Sequence, residues 1–164
     1  KTDAVQTVNM PAGAATPEPM YVVFDATSNT VFVGDRGNNR VVAFDASSFS
    51  VKGIIPAGAG VFHMWADPRG RQLWVNNDVD KTITVINPKT LSVITTIAIP
   101  SDLAAQGGKP HDVILDPTGK LAFVSILGLP GPVRADLDPP CLKRYIRKSL
   151  FGDFLFAGEK WRVL

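Results

Sequence analysis

The sequence predicts an all-β chain assembled from repeated four-stranded antiparallel units, and three observations carry that prediction. The first is an internal repeat. Tyr21-Val-Val-Phe-Asp25, Asn29-Thr-Val-Phe-Val33, Asp35-Arg-Gly-Asn-Asn-Arg40 and Val41-Val-Ala-Phe-Asp45 are followed, 42 residues on, by Phe62-His-Met-Trp-Ala-Asp67, Gln72-Leu-Trp-Val75, Asn77-Asp-Val-Asp-Lys-Thr82 and Ile83-Thr-Val-Ile-Asn87. A third copy begins 49 residues later with His111-Asp-Val-Ile-Leu-Asp116 and Lys120-Leu-Ala-Phe-Val124. The second is turn chemistry. Asp67-Pro-Arg-Gly70 and Asp116-Pro-Thr-Gly119 preset φ with proline and end on a glycine that accepts positive φ, which joins adjacent antiparallel strands. The third is negative: no window before residue 130 keeps the i, i+3, i+4, i+7 apolar spacing of a helix. Short alternating strands repeated at this period are the pattern of β-propeller blades. The expected fold is a partial β-propeller of about two and a half blades.

Taken in order, residues 4–20 form an outer strand (4–10) and a linker, because Val5-Gln-Thr-Val8 and Pro11-Ala-Gly13 share the phase of Val51 and Pro56-Ala-Gly58. Residues 21–57 form one blade and 61–100 a second, with 110–127 giving the inner half of a third, about eleven strands in all. Ser101–Gly108, polar and glycine-containing, is a lengthened loop that accounts for the extra seven residues of offset. Over 131–164 composition and period change. Leu142, Tyr145, Ile146 and Leu150 fall near helical spacing, so a short amphipathic helix capped by Asp138 is one expectation for this tail. The break lies inside a repeat. It fits either a terminal element that covers the open blade edge or unrelated coding sequence after a frameshift or truncation, and its position favours the second.

Composition narrows the classes. Of 164 residues, 45% are apolar and 20% charged, which suits a folded chain and not a disordered one. No run approaches 18 apolar residues, so no membrane-spanning helix is expected. Residues 1–132 hold 10 Lys/Arg against 11 Asp/Glu, whereas 133–164 hold 7 against 4. Basic character confined to one end argues against a nucleic-acid stripe. The single cysteine, Cys141, excludes an internal disulfide and a multi-thiolate metal site. With no Met at position 1 and no signal-peptide pattern, a processed product or an excised piece is expected.

Pro110-His111-Asp-Val-Ile-Leu-Asp-Pro117-Thr-Gly119-Lys120-Leu-Ala-Phe-Val124 and Leu73-Trp-Val-Asn-Asn77…Thr82-Ile-Thr-Val-Ile-Asn87 resemble the repeats of the YVTN-type β-propeller family, a WD40-like propeller, over residues 4–130. The first blade departs from that pattern, with Val31-Phe-Val-Gly-Asp35 in place of the tetrad and Ala26-Thr-Ser28 in place of the Pro-x-Gly turn. The resemblance implies a propeller fold and an extracytoplasmic setting, periplasm or cell surface. It leaves function open, because the superfamily spans surface antigens, periplasmic binding proteins and domains of redox enzymes.

No catalytic constellation emerges. Gly53, Gly58 and Gly60 fit neither dinucleotide nor Walker spacing, and no G-x-S-x-G elbow occurs. Asn76, Asp78 and Asp80 have the i, i+2, i+4 spacing that opens a calcium loop. However, Lys81 stands where glycine is needed and Asn87 where Glu is needed, so a hairpin turn is expected. His111 begins an innermost strand, while the aligned positions are Phe62 and Met20, and His63 is one residue out of phase. Two histidines without a third ligand predict no metal site, and a structural or channel-lining role is expected of them. Trp65, Trp74 and Phe123 read as packing between blades. Cys141 reads as an incidental thiol, and Lys143, Arg144, Arg147 and Lys148 as a solvated face.

The functional expectation is a non-catalytic scaffold or fragment that binds a ligand or protein partner and needs no cofactor. Its contact candidates are Arg36, Asn38, Asn77 and Asp78 in the loops, with His111 and Asp112 near the channel. Exposed blade faces offer a surface for self-association. The alternatives are a fragment of a propeller enzyme, lactonase-like or quinoprotein-like, or a truncated product without a function of its own.

Overall fold

A computed structural model describes residues 5–117, 121–128, 145–149 and 154–157. Three four-stranded antiparallel sheets follow one another along the chain. The first holds β1 (Pro19–Asp25), β2 (Thr30–Asp35), β3 (Arg40–Asp45) and β4 (Val51–Pro56) in sequence order. The second holds β5 (Val61–Ala66), β6 (Leu73–Asn77), β7 (Thr82–Asn87) and β8 (Ser92–Ala98) in the same order. The third holds β9 (Lys109–Leu115), β10 (Leu121–Leu127), β11 (Tyr145–Ser149) and β12 (Phe154–Ala157). The first strand of each sheet lies beside that of the next, β1 on β5 and β5 on β9. This is the arrangement of successive blades in a propeller segment.

Alternation on each strand sends side chains to the two faces of a blade, and the faces meet in two apolar seams. Between the first and second blades, Phe32, Val41, Ala43 and Ile55 pack with Val61, Met64, Leu73, Val75 and Ile86. Between the second and third, Trp74, Ile83, Val85 and Ile97 pack with Val113, Leu115, Ala122, Val124 and Ile126. The middle blade is therefore covered on both faces, and every residue of β6 is buried.

The turns repeat with the strands. Asp45 Oδ1 accepts from the amides of Ser47 and Ser48, and 42 residues on Asn87 Oδ1 accepts from those of Lys89 and Thr90. Phe49 and Leu91, which close these two turns, both adopt positive φ, at 58° and 54°. Side-chain acceptors of this kind replace the ladder where the chain reverses.

Three expectations are corrected. Residues 5–18 form no strand, because an outer strand without its sheet has no ladder to join. Instead Arg40 donates to the carbonyls of Pro11 and Ala12, and Asn38 and Asp35 accept from the amides of Ala15 and Glu18. Ser101–Ala105 is a short helix, α1, rather than an irregular loop, and it buries Leu103. Tyr145–Ser149, offered as helix by its spacing, pairs along β10 from Ser125 to Leu121, and β12 pairs with it in turn, so the third sheet has four strands rather than two. A neighbouring strand with open ladder groups outweighs a weak helical stripe. Asp138, Leu142 and Leu150 of that helical reading, and Cys141, lie outside the described residues.

Candidate functional site

The innermost strands share one irregularity. On β1, Met20 and Tyr21 together oppose Gly34, on β5 Phe62 and His63 oppose Asn76, and on β9 His111 and Asp112 oppose Ser125. Each is a β-bulge, two residues against one, at equivalent points of the repeat. All three lie where β1, β5 and β9 begin, as the pairs Pro19–Asp35, Val61–Asn77 and Lys109–Leu127 show.

The bulged side chains meet from blade to blade. In one row the rings of Phe62 and His111 lie 5.1 Å apart. In the other, Tyr21 and His63 lie with ring centroids 4.3 Å apart, and His63 Nε2 stands 4.0 Å from Asp112 Oδ1. His111 Nδ1 reaches Asp112 Oδ2 at 3.2 Å and so links the rows. The backbone groups displaced by the bulges find partners: Ser125 Oγ accepts from the Asp112 amide, Asn76 Nδ2 donates to the His111 carbonyl, and His63 Nδ1 accepts from the Val113 amide at 3.2 Å.

That last bond assigns the neutral His63 proton to Nε2, facing Asp112. Burial pushes the His63 imidazole below its ordinary value, with the Asp112 carboxylate opposing and His111 adding to the shift. His63 is thus the structural member of the group. Tyr21 and Asp112 are the more exposed members, at 38% for the Tyr21 residue and 50% for the Asp112 side chain.

Of the sequence candidates, His111 and Asp112 fall within this cluster, and Arg36 and Asp78 stand at its rim. Arg36 follows β2 in a single 3₁₀ turn (Arg36–Asn38) and pairs with Asp78 Oδ1 of the next blade at 3.0 Å. Asn38 and Asn77 serve the scaffold instead. Asn38 is held between Asp35 and the Ala15 amide, and the fully buried Asn77 donates to Thr82 and Thr84. Asp80, the third residue of the calcium-like spacing, accepts from the Ala59 amide, and Lys81 takes positive φ at 56°. That loop is a hairpin turn, as expected. Among the described residues no group of three or more His, Cys, Asp or Glu is arranged to hold a metal ion.

Sequence reasoning gave His63 a structural or channel-lining role and did not single out Tyr21 or Phe62 as contact candidates. The signal was present: His63 is out of phase by one residue, and a bulge is the device that brings such a residue into line.

No protein-family model matches this chain, and no curated protein does. Solved structures do. Hydrazine synthase of Kuenenia stuttgartiensis superposes with a TM-score of 0.67 at 16% identity, over 89% of this chain and 36% of that one. A putative 6-phosphogluconolactonase from Bacteroides uniformis gives 0.62 at 16%, over 88% and 44%. The β-propeller domain of Cps50 (Swd1) from Myceliophteria thermophila gives 0.60 at 10%, over 91% and 40%. The fold is a β-propeller segment. The propeller neighbours differ widely in name, so the likeness is one of fold alone. The segment spans less than half the length of each of these chains.

Proposed function

We propose that this propeller segment is a non-catalytic scaffold, of the YVTN repeat type, that binds a ligand or protein partner at the bulged end of its inner strands. The observation that carries the reading is the double row of bulged side chains, in which the half-exposed Asp112 lies beside His111 and His63, whose rings in turn meet Phe62 and Tyr21. A carboxylate in a cluster that also holds Tyr21 and Phe62 suits a cationic or hydrogen-bond-donating group, such as a lysine or arginine side chain of a partner. Arg36 and Asp78, already paired with each other, would border the contact. The YVTN resemblance adds an extracytoplasmic setting to this proposal.

The experiment is a positional-scanning peptide library applied to the immobilised chain. Selection of Lys- or Arg-containing peptides, with binding reduced at least tenfold by Asp112→Asn or Tyr21→Ala and unchanged by Thr95→Ala on the outer strand β8, supports the assignment. Peptide binding that ignores all three substitutions removes it.

A further inference from the structure

The turns that follow β2 and β6 are built alike. The Arg36 amide donates to the Glu18 carbonyl and, 42 residues on, the Asp78 amide to the Gly60 carbonyl, both at 2.9 Å. Asn38 Oδ1 accepts from the Ala15 amide at 2.8 Å, and its counterpart Asp80 accepts through Oδ2 from the Ala59 amide at 2.7 Å. Pro11-Ala12-Gly13 and Pro56-Ala57-Gly58 lead into these turns. A Cβ at Gly13 would collide with Asn38, and one at Gly58 with Asn77 and Thr82.

The two turns differ in what lies between strand and connection. In the first blade it is the buried Arg40 side chain, whose Nε pairs with Asp35 while its other two nitrogens donate to the carbonyls of Ala12 and Pro11. In the second blade Thr82 stands at the place of Arg40 and Asn77 at that of Asp35. Threonine is far shorter than arginine, and here a groove of about 400 Å³ opens, lined by Pro56, Ala57, Gly58, Asp80, Thr82 and Thr84 among others. Asn77 Nδ2 donates to Thr82 Oγ1 and Thr84 Oγ1, whereas Oδ1 of this fully buried residue has no hydrogen-bond partner. No lysine or arginine lines the groove.

We propose that this groove takes the guanidinium group of an arginine presented by a partner protein, as the first blade takes its own Arg40. The repeat supplies the template, since the strand, turn and connection that hold Arg40 all recur. The negative charge is kept but moved, from the buried Asp35 to the exposed Asp80, where a cation arriving from solvent meets it. A planar fork of donors suits a site that combines a carboxylate with carbonyl and hydroxyl oxygens, and an ammonium point charge suits it less. Val93, also in the lining, offers an apolar surface for the methylene stem. The groove shares no residue with the bulged cluster around Asp112, so each site stands or falls alone.

An amide-resolved NMR titration of the full chain with N-acetyl-argininamide tests the proposal. The amides of Ala57, Gly58, Asp80, Thr82 and Thr84 are expected to shift together and to reach half-saturation near about 1 mM, as suits a ligand of this size. The lysine analogue should bind about tenfold more weakly. Thr82→Arg supplies the guanidinium from within the chain and should abolish the response. Asp80→Asn should weaken it about tenfold, with the new carboxamide still able to accept from the Ala59 amide as Asn38 does from Ala15. Far-UV circular dichroism checks that both variants keep their sheets. The proposal is overturned if these amides show no saturable shift up to about 50 mM, if lysine and arginine analogues bind equally, or if Thr82→Arg leaves the response intact. Shifts confined to His111, Asp112 and their neighbours would place the arginine at the bulged cluster and likewise overturn it.

Discussion

Three donors converge on the carboxylate of Asp35, whose side chain has no exposed surface. They are the Glu18 amide at 2.9 Å, Asn38 Nδ2 at 2.9 Å and Arg40 Nε at 2.7 Å. Burial alone would raise this carboxyl, but the Glu18 amide with the Arg40 and Asn38 side chains outweighs it and holds the group below its ordinary value. The stability it contributes is therefore present above the free carboxylate value of about 4 and lost as pH falls below that through the lowered folded value. Arg40→Met leaves the charge buried without its partner, so a loss of about 3 kcal/mol in urea titration at pH 7 is expected. The acid-unfolding midpoint should move upward as well. An unchanged acid midpoint would show that the backbone amide alone holds the carboxylate. His63 predicts a second window. Its imidazole is lowered by burial, so its contribution is complete above the free value of about 6.5 and declines as pH falls from there through the lowered folded value. His63→Asn keeps an acceptor for the Val113 amide but gains no proton, so melting temperature should vary less between pH 7 and 5 than in the wild type. Parallel pH profiles for the two chains would refute that role.

The connection from one blade to the next depends on a backbone that only glycine tolerates. Gly60, between β4 and β5, has φ of +80°, and a Cβ there would stand 2.1 Å from Asp78 Oδ1 and 2.6 Å from Val79 N. Gly107, in the connection to the third blade, has φ of +89° but meets only the Gly128 carbonyl, at 3.7 Å. The two positions separate dihedral strain from collision. Gly107→Ala should cost about 1 kcal/mol from φ alone, and Gly60→Ala about 3 kcal/mol because the Asp78 turn must also shift. Equal losses in denaturant titration would mean that the Asp78–Val79 turn yields freely. Turns of this kind are legible in the amino-acid sequence because Asp, Asn, Pro and Gly act locally, and the 42-residue period survives in Asp45 and Asn87 down to the same pair of amides. β11 was not legible, because Tyr145 and Ile146 are adjacent and alternation fails there, leaving only the open edge of β10 to select a strand. At the site, His111 and Asp112 were legible from their place at a strand start. Tyr21 and Phe62 were not, because period-two alternation carries no sign of a bulge until the register is known.

At the scale of the molecule, the two seams are separate apolar clusters with the middle blade as their shared wall. Each blade touches only its neighbours, so stability divides into blade terms and seam terms, as in other repeat arrays. Leu73 belongs to the seam between the first two blades and Ile126 to the seam between the last two, and both are essentially fully buried. Truncating either to alanine removes about 3 kcal/mol of packing, but the consequences should appear in different places. With Leu73→Ala, amide hydrogen exchange should accelerate in β1 to β3 while β9 and β10 keep wild-type protection, and Ile126→Ala should reverse that pattern. The middle blade, held by whichever seam remains, should be the slowest to exchange in both variants. This follows because opening an end blade breaks one seam whereas opening the middle blade breaks two, and local opening takes the route of lower cost. If either substitution instead accelerates exchange equally in all three sheets, the segment opens as one cooperative unit. The seams would then transmit strain from blade to blade rather than confine it.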